Sequence, residues 1–183
     1  VQLAGTRQVI VFTHDIGFVV DLKRAAEIPD VTVAERHVSR HQDGPGHVSS
    51  TGPWDGLNVR QRLNELDNAI AEIRAITDPE ERVSKIRHWY QDLRLLWERS
   101  LEEAVIDKVT NRTKLELRPG GLKSLVRITD EDNRIYQAAF TRCGDRGSHD
   151  RSTQLNRTVP SIEELREDLE LLRTWHKRVK AYD

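Results

Sequence analysis

Methionine is absent from the 183-residue chain, and cysteine occurs once. A single thiol excludes an internal disulfide and any zinc site built on several cysteines, and it suits a reducing, cytoplasmic setting. With no methionine anywhere, and with Val1 standing just ahead of a strand-like run, the sequence reads as a fragment or as the ordered remainder of a longer protein. No window approaches the roughly 18 consecutive apolar residues of a membrane span. No signal-peptide pattern opens the sequence. Neither sign of charge is in excess, since 29 Lys and Arg stand against 30 Asp and Glu. That balance excludes a uniformly basic coat for nucleic acid but leaves room for a local basic patch. The motif G-x-x-x-x-G-K-[ST] occurs nowhere, so the chain carries no phosphate-cradling loop of that kind.

What is present is a polar but foldable mixture, 32% charged and 37% hydrophobic, long enough for one domain or one and a half. The first third reads as α/β. Gln8-Val9-Ile10-Val11-Phe12-Thr13 is a nearly continuous apolar and β-branched run, the pattern of a strand buried on both faces. His14-Asp15 ends it, Ile16 to Ala26 reads as a helix, and Pro29-Asp30 punctuates. Val31 to Val38 predicts a second strand, Asp43-Gly44-Pro45-Gly46 a turn, and His47 to Thr51 a returning strand, together a β-hairpin. Gly52-Pro53 and Asp55-Gly56 then break the chain, which places a boundary between residues 1–52 and residues 53–183.

The remainder reads as helical. Val59, Leu63, Leu66, Ile70 and Ile73 form one apolar stripe. Asp78-Pro79 restarts the chain with proline at a first helical position. Val83, Ile86, Tyr90, Leu93, Trp97, Leu101 and Ala104 continue as a long amphipathic helix, antiparallel to the first. Leu115-Glu116-Leu117 is a short strand candidate, and Pro119-Gly120-Gly121 a turn. Thr129 to Asp132 opens a helix with a capping-box pattern and is expected to end near Arg142, with a polar loop from Cys143 to Asn156. Ser161 and Glu164 cap a last helix that carries Ile162, Leu165, Leu169, Leu172 and Val179. The expected class is α+β, mainly α.

Val9-Ile10-Val11-Phe12-Thr13-His14-Asp15 resembles the switch strand and switch histidine of ABC-type ATPases. It is most similar to the soluble branch that includes the structural-maintenance-of-chromosomes proteins and related prokaryotic defence ATPases. In that family the strand is followed by a helix and a terminal β-hairpin, as residues 16 to 51 read here. The resemblance covers roughly residues 5 to 52. It implies that His14 contacts the γ-phosphate of ATP. It also implies that the phosphate loop, the magnesium-holding carboxylate and the signature loop come from the remainder of the ATPase chain. ATP and Mg are therefore expected only in the complete protein, with ATP-dependent homodimers. The bare alternative is a strand that ends in a capping His-Asp pair.

In the helical part, Arg94 and Glu98 lie one turn apart on one face. Arg142 and His149 are separated by six residues. An Arg, a Glu and a His brought together suit RNA cleavage, with His149 as general acid or base and an arginine stabilising the charged phosphorane. This resembles the ABC-linked anticodon nucleases and the all-helical ribonucleases with Arg-x4–6-His. An ordinary exposed salt bridge between Arg94 and Glu98 explains that pair equally well, and a helical module docking a partner protein is a third reading. His37, His41 and His47 with Asp43 invite a metal, but a strand and turn do not stack residues four apart as a helix does. Arg36 and Arg40 with these histidines form a candidate contact for DNA or RNA. Cys143 and His149 are too few for zinc. Trp54, Trp89, Trp97 and Trp175 are read as packing anchors.

Overall fold

Three helices of the chain begin on a side chain that serves their orphan N–H groups. Asn58 Oδ1 accepts from the Gln61 N–H at 2.9 Å, and Gln61 reaches back to the Asn58 N–H at 3.0 Å. Asp78 Oδ1 accepts from the Glu81 N–H at 2.7 Å, and Ser161 with Glu164 forms a second reciprocal box. Such caps each contribute about 1 kcal/mol. They fix the starts of helices whose apolar stripes then decide the packing.

The structure is a computed structural model, and it describes residues 2–26, 31–41, 44–50, 52, 54–111, 116–147 and 158–182. The chain divides into two units, Val1–Leu57 and Asn58–Asp183. The first unit holds α1 (Ile16–Ala25), β1 (His37–His41) and β2 (Gly44–Ser49). The second holds α2 (Val59–Ala75), α3 (Pro79–Leu101), a π-helical turn Glu102–Ile106 and the single turn α4 (Asp107–Val109). It continues through β3 (Thr110–Asn111), β4 (Glu116–Leu117), a 3-10 turn Pro119–Gly121, α5 (Leu122–Val126), α6 (Asp130–Gly147) and α7 (Ile162–Lys180). The class is mainly α with two small antiparallel sheets among the described residues.

In the helical unit, α3 is central, touching α2, α6 and α7. Its expected stripe of Ile86, Tyr90, Leu93 and Trp97 is buried, and so are Trp89 and Leu96 on either side of it. A helix with three neighbours needs more than one apolar stripe, which is why the single-stripe reading was too narrow. Trp97 meets Tyr136 edge-on at 5.5 Å and Trp175 at 5.4 Å. The buried indole N–H groups of Trp89 and Trp175 donate to the backbone carbonyls of Leu66 and Asp132. Gly121 lies against the α4 backbone, where an added Cβ would sit 2.0 Å from the Lys108 carbonyl oxygen, so only glycine fits this turn.

Three expectations are corrected. Gln8–Thr13 forms no strand; its backbone is irregular and its apolar side chains are exposed, Phe12 by 92%. A strand buried on both faces needs neighbours at its edges and layers over its faces, and the described residues supply neither. The hairpin is present, but β1 begins at His37 rather than Val31, pairing Val38 with Val48 across a bulge at Ser39/Arg40. Gly44 and Gly46 adopt positive φ within β2 rather than in a longer loop. Lastly, α6 runs to Gly147, five residues beyond Arg142, because Cys143 is buried and Gly147 abuts α3, with Gln91 Nε2 donating to its carbonyl at 3.0 Å. Pro29-Asp30, Asp43 and Leu115 lie outside the described residues.

Candidate functional site

Thr13-His14-Asp15 forms the N-terminal cap of α1. The Asp15 N–H donates to Thr13 Oγ1 at 3.0 Å, and Asp15 Oδ1 accepts from the Phe18 N–H at 3.1 Å. These local bonds leave the exposed His14 side chain turned out beside the helix start. In the hairpin, His37 pairs with Ser49 in register and Ser39 with His47. Among the described residues, no group of three or more His, Cys, Asp or Glu is placed to hold a metal ion.

Arg94 Nε lies 3.9 Å from Glu98 Oε1, both side chains about half exposed. Such an i,i+4 pair contributes about 0.3–0.5 kcal/mol. The Arg94 guanidinium also covers the Phe140 ring at 4.6 Å, so this side chain is oriented by α6 as well as by Glu98. His149 lies outside the described residues.

The largest polar cluster was not anticipated. Asp168 of α7 accepts from Tyr90 Oη of α3 at 2.9 Å and from Arg142 of α6 at 2.7 Å. Arg146, one turn further along α6, donates to Tyr90 Oη at 2.6 Å, to Glu164 at 2.7 Å and to Asp168 at 3.4 Å. Two arginines and two carboxylates thus balance at the end of α6, around a phenol with no solvent exposure. Burial and the neighbouring Asp168 carboxylate push the Tyr90 hydroxyl well above its ordinary range, so it stays a donor. Burial also pushes the adjacent Cys143 thiol up to about 12, which makes it inert rather than nucleophilic. The signal available in the sequence was a polar residue inside an apolar stripe, Asp168 beside Leu165, Leu169 and Leu172.

Two further carboxylates are built in. Asp132 is wholly buried, accepting from the Thr129 N–H and hydroxyl and from Tyr182 Oη, and paired with Arg178. Burial alone would raise its pKa, but the Thr129 hydrogen bonds outweigh it and hold the group below its usual value. Glu103, in the π-helical turn, accepts from the Val59 N–H at 3.1 Å and from Lys180 at 2.9 Å. Its burial is likewise outweighed, by Lys180 and the Val59 amide. Close by, the buried Ser100 hydroxyl lies 2.8 Å from His176 Nδ1, and burial lowers the His176 pKa.

These three shifts have one sign. For each group the unfolded chain binds a proton more readily than the folded one, so stability rises with pH across its range. The His176 contribution is lost first, as pH falls below about 6.5; those of Asp132 and Glu103 follow below about 4. Urea denaturation midpoints measured from pH 8 to 3 should therefore fall in two steps. His176→Gln should remove the upper step, and Asp132→Asn should flatten the lower one. An upper step unchanged in His176→Gln would assign it to another group.

Set against known proteins, the chain matches no family model, no curated protein and no solved structure. No helix among the described residues is long and apolar enough to cross a membrane.

Proposed function

We propose that the chain is the C-terminal portion of an ABC-type ATPase of the DNA-repair or anti-phage kind, in which nucleotide-driven closure is sensed at His14 and passed to the helical unit as effector. The observation that supports this is the apolar run Val9–Phe12, left without strand partners and exposed, Ile10 by 70%, directly ahead of the capped His14 and α1. Exposed, contiguous apolar chain of this kind marks a surface that is normally covered. A sheet supplied by the remainder of the ATPase chain would cover it, and His14 would then stand at a strand end, where ligands of α/β sheets bind.

ATP and Mg do not find a complete set of holding residues in this chain. It offers the exposed imidazole of His14, but no phosphate loop, and the described residues hold no metal-ligating group. The part this chain plays is one hydrogen bond to a terminal phosphate. His14→Ala in the full-length protein should leave folding and nucleotide binding intact and lower ATP turnover by about tenfold or more, since the lost contact strengthens as charge develops in the transition state. Unchanged turnover would remove His14 from the site.

A second reading, a ribonuclease effector in the helical unit, is favoured by one feature. The unbroken α6 carries Arg142 and Arg146 together to its end, just ahead of His149 in sequence. Both guanidiniums are engaged by Asp168 and Glu164, so RNA would have to compete for them.

A further inference from the structure

The helical unit has a second charged centre, away in sequence from Arg94, Glu98 and His149. A cleft of about 400 Å³ opens between the first turns of α2 and the last turns of α7. Val59 and Leu63 line it, and Arg60, Lys177, Lys180 and His176 stand around it. The three long cations are exposed, while His176 is held by its Ser100 contact. In a chain of net charge −1 this is a concentrated positive site.

One carboxylate sits among these groups. Glu103 takes Lys180 at 2.9 Å and the Val59 N–H at 3.1 Å, and its Oε1 lies 3.8 Å from His176 Nε2. That last distance is too long for a hydrogen bond. The π-helical turn brings Glu103 to this place, and such turns recur at functional sites. Glu103 therefore makes the contacts that an anionic ligand would make, and makes one of them poorly. It balances one of three cations, leaving two positive charges on the rim before His176 is counted.

We propose that this cleft binds a phosphomonoester dianion, with Glu103 as a built-in competitor that yields to it. The charge count gives the selectivity. A singly charged group, such as a phosphodiester, only replaces the charge of Glu103. A dianion adds a second charge among Arg60, Lys177, Lys180 and His176, and so gains what a monoanion does not. The ligand is a terminal phosphate, carried by a nucleotide or polynucleotide end or free in solution. The inference stands apart from the readings of His14 and of α6.

Calorimetric titration of the full chain at low salt tests it, first with inorganic phosphate, then with a 5′-phosphorylated dinucleotide against its 5′-hydroxyl form. Glu103→Gln keeps an acceptor for the Val59 amide and removes the competing charge, so it should bind phosphate about tenfold more tightly than the unsubstituted chain. Lys177→Glu, an exposed change expected to fold whether or not Glu103→Gln does, should weaken binding about tenfold. Tighter binding of the phosphorylated dinucleotide than of inorganic phosphate would identify a nucleic-acid or nucleotide end; equal binding would identify free phosphate. Equal affinity in the unsubstituted and Lys177→Glu chains, no gain in a folded Glu103→Gln, or equal binding of the 5′-hydroxyl dinucleotide would overturn the proposal.

Discussion

Replacing Asp168 with alanine should cost the helical unit about 3–5 kcal/mol, the range for breaking a buried pair by removing one partner. The Asp168 side chain is 7% exposed and receives three donors from two other helices. Without it, the Arg142 and Arg146 guanidiniums face each other uncompensated and the Tyr90 hydroxyl loses its acceptor. Two features place the cost at the lower end. Arg142 is 54% exposed, so water can serve it, and Arg146 keeps Glu164. Asp168→Asn, which retains an acceptor, should cost less than Asp168→Ala. Urea denaturation checks both: the midpoint should drop with the slope unchanged, since the surface exposed on unfolding is the same. A loss below about 1 kcal/mol, no more than an exposed ion pair contributes, would show that the cluster is not structural.

On the ribonuclease reading, His149→Ala in the intact protein should lower RNA cleavage by about 10²–10⁴, the contribution of one positioned general acid or base. ATP hydrolysis should survive, because His14 belongs to the other unit. Arg142→Ala should also impair cleavage, while Arg94→Ala, in a half-exposed i,i+4 pair, should impair it less. Cleavage of a tRNA substrate by the purified variants is the measurement. Retained cleavage in His149→Ala would leave the helices as a docking or structural element.

Local signals carried the helices. Asn58, Asp78, Thr129 and Ser161 mark helix starts through bonds to residues three positions away, and α2 and α7 bury the stripes that their spacing shows. These interactions are short in sequence, so the sequence displays them. Val9–Phe12 misled because its composition reports what the segment needs, whereas strand formation depends on neighbours. Cys143–Gly147 misled because glycine is a weak helix former, yet α3 packs against Gly147 so closely that an added Cβ would lie 3.1 Å from Gln91 Cγ. The charged cluster was hidden for a related reason. Arg94 and Glu98 share one helix and are visible by counting, but Tyr90, Arg146 and Asp168 come from three helices and meet only after packing. The same holds for Ser100 and His176, 76 residues apart.

The π-helical turn Glu102–Ile106 has a bearing on how the chain tolerates changes of length. A π turn holds about one residue more than an α turn, and each α-helical residue advances the backbone by about 100°. Deleting a single residue there would let the turn relax into the regular ladder, so the deletion is cheap for the backbone itself. It would also rotate whatever follows, Asp107–Val109 and the β3–β4 pair, by about that angle about the helix axis. Gly121, which fits only against Lys108, would lose its seat. A substitution in this turn alters one side chain, whereas a one-residue deletion re-aims the whole segment from Asp107 to Val126.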